Sequence, residues 1–257
     1  MKPSFGSWRL LYRLPALLLH LAISLPVTLL CFTPPGRAIR VGHNGLHEVM
    51  QRWWSGSLCR IFGVKRTVEG SFSPGPCLIA ANHISWLDIQ VLHSISPMGF
   101  VAKAEIERWP LAGWVARFGD TVYHRRGSHD SSSNVLEAMR ERLDEGKKIA
   151  IFAEGGILPG AGVKRFHARL FGAAIDSGAP VQPVMLRYRS QGRPYPEITF
   201  LEKEHFMANF FRLLRQPPCT AEVAVLPLIR SGGKQRRVLA QEAQTSVEGA
   251  FSRESSV

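Results

Sequence analysis

From Leu14 to Phe32 the chain reads LPALLLHLAISLPVTLLCF, nineteen residues without a formal charge, with Lys2, Arg9 and Arg13 before it and Arg37 and Arg40 after. That length is close to the ~20 apolar residues a bilayer-crossing helix needs. Pro15 and Pro26 each remove an amide donor and kink a helix, and His20 is polar at depth. Basic residues on both flanks leave the orientation rule little to choose between. The pattern predicts a kinked helix or helical pair held in one leaflet, with a single span as the alternative. A secretory signal fits less well, because the apolar run is too long and CFTPPGRAIR offers no small-residue cleavage site. Residues 46–64 then place Leu46, Met50, Trp53, Trp54, Leu58 and Ile61 mostly at helical spacing, with Arg52 and Arg60 among them. Such a mixture of Trp and Arg suits a membrane interface; a Trp-rich core helix is the plainer reading.

Beyond about residue 66, short apolar runs alternate with amphipathic stretches, the pattern of a sheet with crossover helices. It predicts strands over 77–82, 99–103, 121–125, 147–153, 180–188, 196–202 and 220–227. Between the third and fourth, Asp130 to Ser133 offer helix caps, Val135, Met139 and Leu143 recur every four residues, and Gly146 closes the helix. The segment FFRLLR (210–215) is basic and amphipathic. The tail from Ser231 is polar, and its cluster Lys234, Arg236 and Arg237 reads as a solvated helix face or frayed end. The expected organisation is an N-terminal membrane-associated helical region over 1–65, an α/β domain with a mixed sheet flanked by helices over 66–230, and a polar C-terminal tail over 231–257.

Composition narrows the classes. With 45% hydrophobic residues in 257, the chain has enough apolar material for a folded core and is not a disordered polymer. Lys and Arg number 32 against 20 Asp and Glu, a net charge of +12, which points to an anionic partner. The basic residues are dispersed, and the globular part shows no nucleic-acid-binding motif, so membrane lipids and acidic substrates fit better than nucleic acid. Cys31, Cys59, Cys77 and Cys219 lie far apart, which suggests neither a disulfide framework nor a Cys-rich zinc site. His43 and His47 are the one histidine pair at helical spacing, and a solvated pair is a better reading than a metal site.

One constellation carries chemistry. Strand CLIAAN runs straight into HISWLDIQVL, so His83 falls at a strand end and Asp88 five residues later, where a turn can fold the carboxylate back toward the ring. A histidine that takes a proton from an alcohol needs a partner that fixes its tautomer and stabilises the imidazolium, and Asp is the usual one. Alone, the pair reads more readily as a polar helix start and a first-turn dipole partner.

Around it, the sequence resembles the glycerolipid acyltransferase family, membrane enzymes that acylate glycerol 3-phosphate and lysophosphatidic acid. Asn82, His83 and Asp88, with Ser85 and Trp86, match its first motif. Lys103, Glu105, Pro110, Leu111, Gly113 and Trp114 look like the segment between its first two motifs, and GDTVYHR, from Gly119 to Arg125, is similar to the second. FAEGGI stands where the family has Phe-Pro-Glu-Gly-Thr-Arg, keeping Phe152, Glu154 and Gly155 but placing Ala153, Gly156 and Ile157 elsewhere. Val181, Pro183 and Val184 match the fourth.

The resemblance implies an O-acyltransferase that uses neither metal nor covalent intermediate. His83 is then the base, Asp88 its orienting partner, Arg125 with Arg126 and Lys164 the holders of the acceptor headgroup, and Glu154 and Gly155 the residues that shape its pocket. Acyl-CoA or acyl-carrier protein is the implied co-substrate, with no bound cofactor, and a lysophospholipid the acceptor. The implied location is the membrane, at the cytoplasmic face of the inner membrane. Lysophosphatidic acid is the expected acceptor. Yet the family's third-motif Arg helps hold the acceptor phosphate, and Ile157 cannot, so another lysolipid such as lyso-ornithine lipid is the alternative. Lys164, Arg165, His167 and Arg169 could supply the missing charge. More remote is a non-catalytic basic protein of membrane surfaces or nucleic acids.

Overall fold

A computed structural model of the chain describes residues 7–103, 121–124, 129–157 and 162–253. Among them, the helices in chain order are α1 (Ser7–Leu19), α2 (Leu25–Cys31), α3 (Pro34–Ala38), α4 (Leu46–Ile61), α5 (Leu87–His93), α6 (His129–Asp144), α7 (Gly172–Ser177), α8 (Phe206–Arg215) and α9 (Arg236–Ser252). The strands are β1 (Arg40–Val41), β2 (Asn44–Gly45), β3 (Val64–Glu69), β4 (Cys77–Ala81), β5 (Gly99–Lys103), β6 (Val122–His124), β7 (Lys148–Phe152), β8 (Val181–Ser190), β9 (Arg193–Pro194) and β10 (Cys219–Val225). Strands β3 to β10 form one sheet in the order β3-β10-β8-β4-β7-β5-β6, with β9 beside β8. Contacts gather into two compact units that cut across the linear order. One comprises Met1–Thr67, Ile84–Pro97 and Arg187–Glu222; the other comprises Val68–His83, Met98–Leu186 and Val223–Val257.

In the second unit β4 is the central strand, parallel to β7 on one side and to β8 on the other. All five residues of CLIAA are buried, as a parallel strand covered on both faces requires. Strand β5 runs parallel to β7 and β6, while β9 pairs antiparallel with β8, so the sheet is mixed. The core joins Leu78, Ile149, Ile151 and Val181 from the sheet to Met139 and Leu143 of α6 and to Phe171. The four-residue recurrence of Val135, Met139 and Leu143 is the buried stripe of α6. That helix stops where Gly146 and Lys147 donate back to the Leu143 and Arg142 carbonyls.

The segment expected to be a polar tail instead contributes to this core. Leu239, Ala240, Ala243, Val247 and Ala250 of α9 are buried, while Arg236, Arg237, Gln241 and Thr245 face solvent. Three of the five buried residues are alanines, whose weak hydrophobic signal is drowned by the Gln and Glu around them.

In the first unit the 24 residues Trp8–Cys31 form one helical run, whose most apolar 18-residue stretch has a mean hydropathy of 2.1. Pro15 sits inside α1, and five residues, His20–Ser24, widen into a π turn just before Pro26. Pro26 has no amide to donate and its ring crowds the preceding turn, and the wider turn accommodates both. One face of the run is anchored. Arg13 is buried and donates to the Leu214 and Gln216 carbonyls at 3.1 and 2.8 Å, at the C-terminal end of α8, where a cation complements the helix dipole. His20 stacks on Trp54 of α4 at 5.3 Å. The opposite face exposes Trp8, Leu11, Tyr12, Leu18, Leu19, Ile23, Val27 and Leu30.

Residues 196–202, expected to be a strand, begin with a single 3-10 turn, Pro196–Ile198. Pro196 cannot donate to a sheet ladder, and the carbonyls of Glu197 and Thr199 are taken by the Arg212 guanidinium at 2.6 and 2.7 Å. Strands β3 and β9 were not expected; β9 is two residues long, and β3 carries Lys65, Arg66 and Thr67 among its apolar positions.

Candidate active site

The second unit ends one of its segments at His83, directly after β4. The position is fixed from three directions. Asn82, buried, pairs its side-chain amide with the backbone of Leu186 on β8. The His83 amide donates to Glu154 Oε2 at 2.8 Å. The half-buried His83 ring lies flat on Phe152 with centroids 3.7 Å apart and planes 9° apart, and Phe152 in turn stacks on Phe100.

Glu154 is buried, and its other oxygen, Oε1, accepts the Lys164 backbone amide at 2.6 Å. Its carboxylate therefore ties the end of β4 to the main chain at Lys164, so it shapes the surroundings of His83 by holding main chain. Gly155 follows with φ of +78°, and a Cβ there would meet the His167 ring at 3.1 Å, so both backbone and space select glycine. His167, exposed, donates its amide to the Ala153 carbonyl at 2.8 Å, which closes this loop on itself. Arg165 and Arg169 are exposed nearby in sequence, and Lys164 is half-buried. Arg125 and Arg126 lie outside the described residues.

In the first unit Asp88 occupies the first turn of α5 and is wholly buried. Its Oδ2 accepts the amides of Ile84 at 2.7 Å and Ser85 at 2.9 Å, so the carboxylate folds back onto the residue that follows His83 in the chain. Its Oδ1 accepts the hydroxyl of Tyr188 at 2.7 Å. Trp86, between the two motif residues, packs edge-on against Phe62 and Phe206 and stacks on Phe210. Its Nε1 donates to Asn209 Oδ1 at 3.0 Å. Asn209 and Arg212 both bond Glu204, and the Arg212 contact holds that carboxyl down to about 2.

Sequence reasoning singled out His83, Asp88, Glu154, Gly155 and Lys164, and did not reach three of the contacts that hold them. Phe152 was singled out only as part of a motif, not as the floor under the imidazole. The reach of Asn82 to Leu186 and of Tyr188 to Asp88 spans about a hundred residues of chain. Periodicity carries no signal for such pairs; the one local hint is that Tyr188 ends the apolar strand.

A histidine presented at the end of a central parallel strand, with a buried aspartate five residues on, defines an α/β enzyme with a strand-end histidine site. Residues 65–187 match the family described as Acyltransferase. Lyso-ornithine lipid O-acyltransferase of Pseudomonas aeruginosa is 37% identical over 206 residues, 80% of either chain. A 1-acyl-sn-glycerol-3-phosphate acyltransferase of Neisseria gonorrhoeae is 40% identical over 115 residues, 45% of either chain. The crystal structure of the 1-acyl-sn-glycerophosphate (LPA) acyltransferase PlsC of Thermotoga maritima shares the fold, with a TM-score of 0.68 over 95% of this chain and 98% of that one at 18% identity. The chain belongs to the acyltransferase family and is an acyltransferase.

Proposed function

We propose that the protein transfers an acyl chain from a thioester, acyl-CoA or acyl-carrier protein, to the free hydroxyl of a lysolipid at the cytoplasmic face of the inner membrane. His83 takes the hydroxyl proton, the oxygen attacks the thioester carbonyl, and the carbon–sulfur bond breaks as the thiolate leaves and recovers the proton. Asp88 keeps the imidazole in the tautomer that can accept and stabilises the imidazolium. The observation that carries the reading is the rigid mounting of His83: its amide is bound by Glu154 and its ring rests on Phe152. General-base catalysis depends on such fixed placement.

The acceptor we favour is a lyso-ornithine lipid. Ile157 offers no charge where the resembling motif has Arg, and the Pseudomonas relative with that activity in its name matches over most of its length. A phosphate-bearing acceptor, lysophosphatidic acid, is the second reading, supported by Lys164, Arg165, Arg125 and Arg126 and by the neisserial relative. Purified protein supplied with labelled acyl donor and a panel of lysolipids tests both, and incorporation into none of them overturns the function. Residues 1–65 serve as the membrane-associated region, since the exposed face from Trp8 to Leu30 is apolar and Arg9, Arg37 and Arg40 flank it.

A further inference from the structure

Tyr188 stands a hundred residues beyond Asp88 in sequence, on β8, and only 3% of it is exposed. Its hydroxyl donates to Asp88 Oδ1 at 2.7 Å, while the amides of Ile84 and Ser85 donate to Oδ2. The two oxygens are thus gripped from different parts of the fold, one by the turn that follows His83 and one by a sheet strand. A carboxylate held by a single oxygen can swing about its terminal torsion, which is broad and soft; held by both, it keeps one plane.

The chemistry around the hydroxyl permits one direction of donation. Burial, then the charge of Asp88, pushes the phenol well above its ordinary value, so it stays protonated. Cys59 on α4 and Cys219 on β10 are the other titratable groups that bear on it, and burial pushes each thiol up to about 12, so both stay neutral. A tyrosine placed only to fill the core would present its hydroxyl to a carbonyl or to water; this one presents it to the carboxylate of the motif.

We propose that Tyr188 is a positioning residue of the acyl transfer: its hydroxyl fixes the plane of the Asp88 carboxylate and shares its charge, and Asp88 so held sets the tautomer of His83. The proposal rests on the reading of His83 as base and Asp88 as its partner.

Tyr188→Phe removes one oxygen and keeps the ring. With the full-length enzyme the expected result is a kcat lower by ~10- to 100-fold, the scale of a hydrogen bond to a charged group, and an acceptor KM within about twofold of wild type. The acid limb of the kcat/KM profile moves to higher pH, because a carboxylate with one donor fewer holds the imidazolium more strongly. A double-mutant cycle separates this role from packing. If Tyr188 acts through Asp88, adding Tyr188→Phe to Asp88→Asn changes kcat by less than about twofold, whereas independent structural losses multiply.

Thermal unfolding is followed for every variant. Wild-type kcat in Tyr188→Phe, or multiplying losses in the cycle, overturns the proposal and leaves the dyad standing. The same holds if Tyr188→Phe is unfolded while Asp88→Asn is folded. Wild-type turnover in Asp88→Asn removes the dyad itself, and the role of Tyr188 with it.

Discussion

The side-chain amide of Asn82 pairs with both backbone groups of Leu186: Nδ2 donates to the carbonyl at 2.9 Å and Oδ1 accepts the amide at 2.8 Å. The backbone ladder between β4 and β8 ends with Ala81 opposite Val184, so the asparagine continues the pairing with its side chain just where the main chain turns away toward His83. A strand end that would otherwise fray is held, and two buried backbone groups are satisfied.

Asn82→Ala should therefore cost ~2–4 kcal/mol of unfolding free energy, because the carbonyl and amide of Leu186 both lose their partner in a buried place. Asn82→Asp keeps an acceptor for the amide but offers the carbonyl no donor and buries a charge, and it should be at least as harmful. Denaturant midpoints check both, and an Asn82→Ala protein as stable as wild type would show that the ladder does not need its extension.

Glu154→Gln tests the second mount. Each carboxylate oxygen accepts one backbone amide, so whichever end the new NH2 group takes, a donor faces a donor. The expected outcome is a stability loss of ~1–3 kcal/mol together with a lower kcat, since either the His83 amide or the Lys164 amide loses its acceptor. Full activity with unchanged thermal unfolding would sink the idea that this carboxylate positions the base.

His83→Ala removes the base and one face of the stack on Phe152 without opening the core, since the ring is half-buried. Acyl transfer should fall by ~10²- to 10⁴-fold while folding is retained. Retention of more than about a tenth of wild-type turnover would contradict the mechanism.

The exposed apolar face of the N-terminal run gives a cleaner membrane test than truncation. Deleting residues 1–40 would also strip buried Arg13, Leu17, His20 and Leu25. Leu11, Leu18 and Leu30 are more than half exposed, so their joint replacement by Asp spares the buried residues of the run. Each leucine that enters the lipid is worth ~1.5–3 kcal/mol, so binding to anionic vesicles should fall by more than a hundredfold. Flotation of the triple variant at wild-type levels would move the membrane contact elsewhere on the protein.

Legibility in the sequence followed the range of the interaction. Strands β4 and β7 were readable because each buries a short continuous apolar run, and α6 because its stripe is made of large residues. The helix α9 was not, since alanines form much of its buried face, and 196–202 misled because an apolar run there gives its carbonyls to Arg212 instead of a ladder. His83 and Asp88 were singled out by a short motif that lies within a few residues of chain. Tyr188 and Leu186, which bond Asp88 and Asn82, could not be, because only the pairing of β8 with β4 and the turn after it brings them near.

The acceptor can be decided at Ile157, which the chain carries where the resembling motif has Arg. If a lyso-ornithine lipid is the acceptor, wild-type enzyme should acylate it with higher kcat/KM than lysophosphatidic acid, and Lys164→Ala should change the two acceptors alike. That substitution keeps the backbone amide that Glu154 holds, so it removes only the ammonium. Ile157→Arg should then raise kcat/KM for lysophosphatidic acid by ~10-fold or more, since a guanidinium meets a phosphate monoester with paired, charge-assisted hydrogen bonds. The gain should appear mainly in KM, as a contact made equally in ground and transition states does. Should wild-type enzyme instead prefer lysophosphatidic acid and lose that preference in Lys164→Ala or Arg125→Ala, the phosphate is met by the basic residues after all. The isoleucine would then mark a different route to the same acceptor.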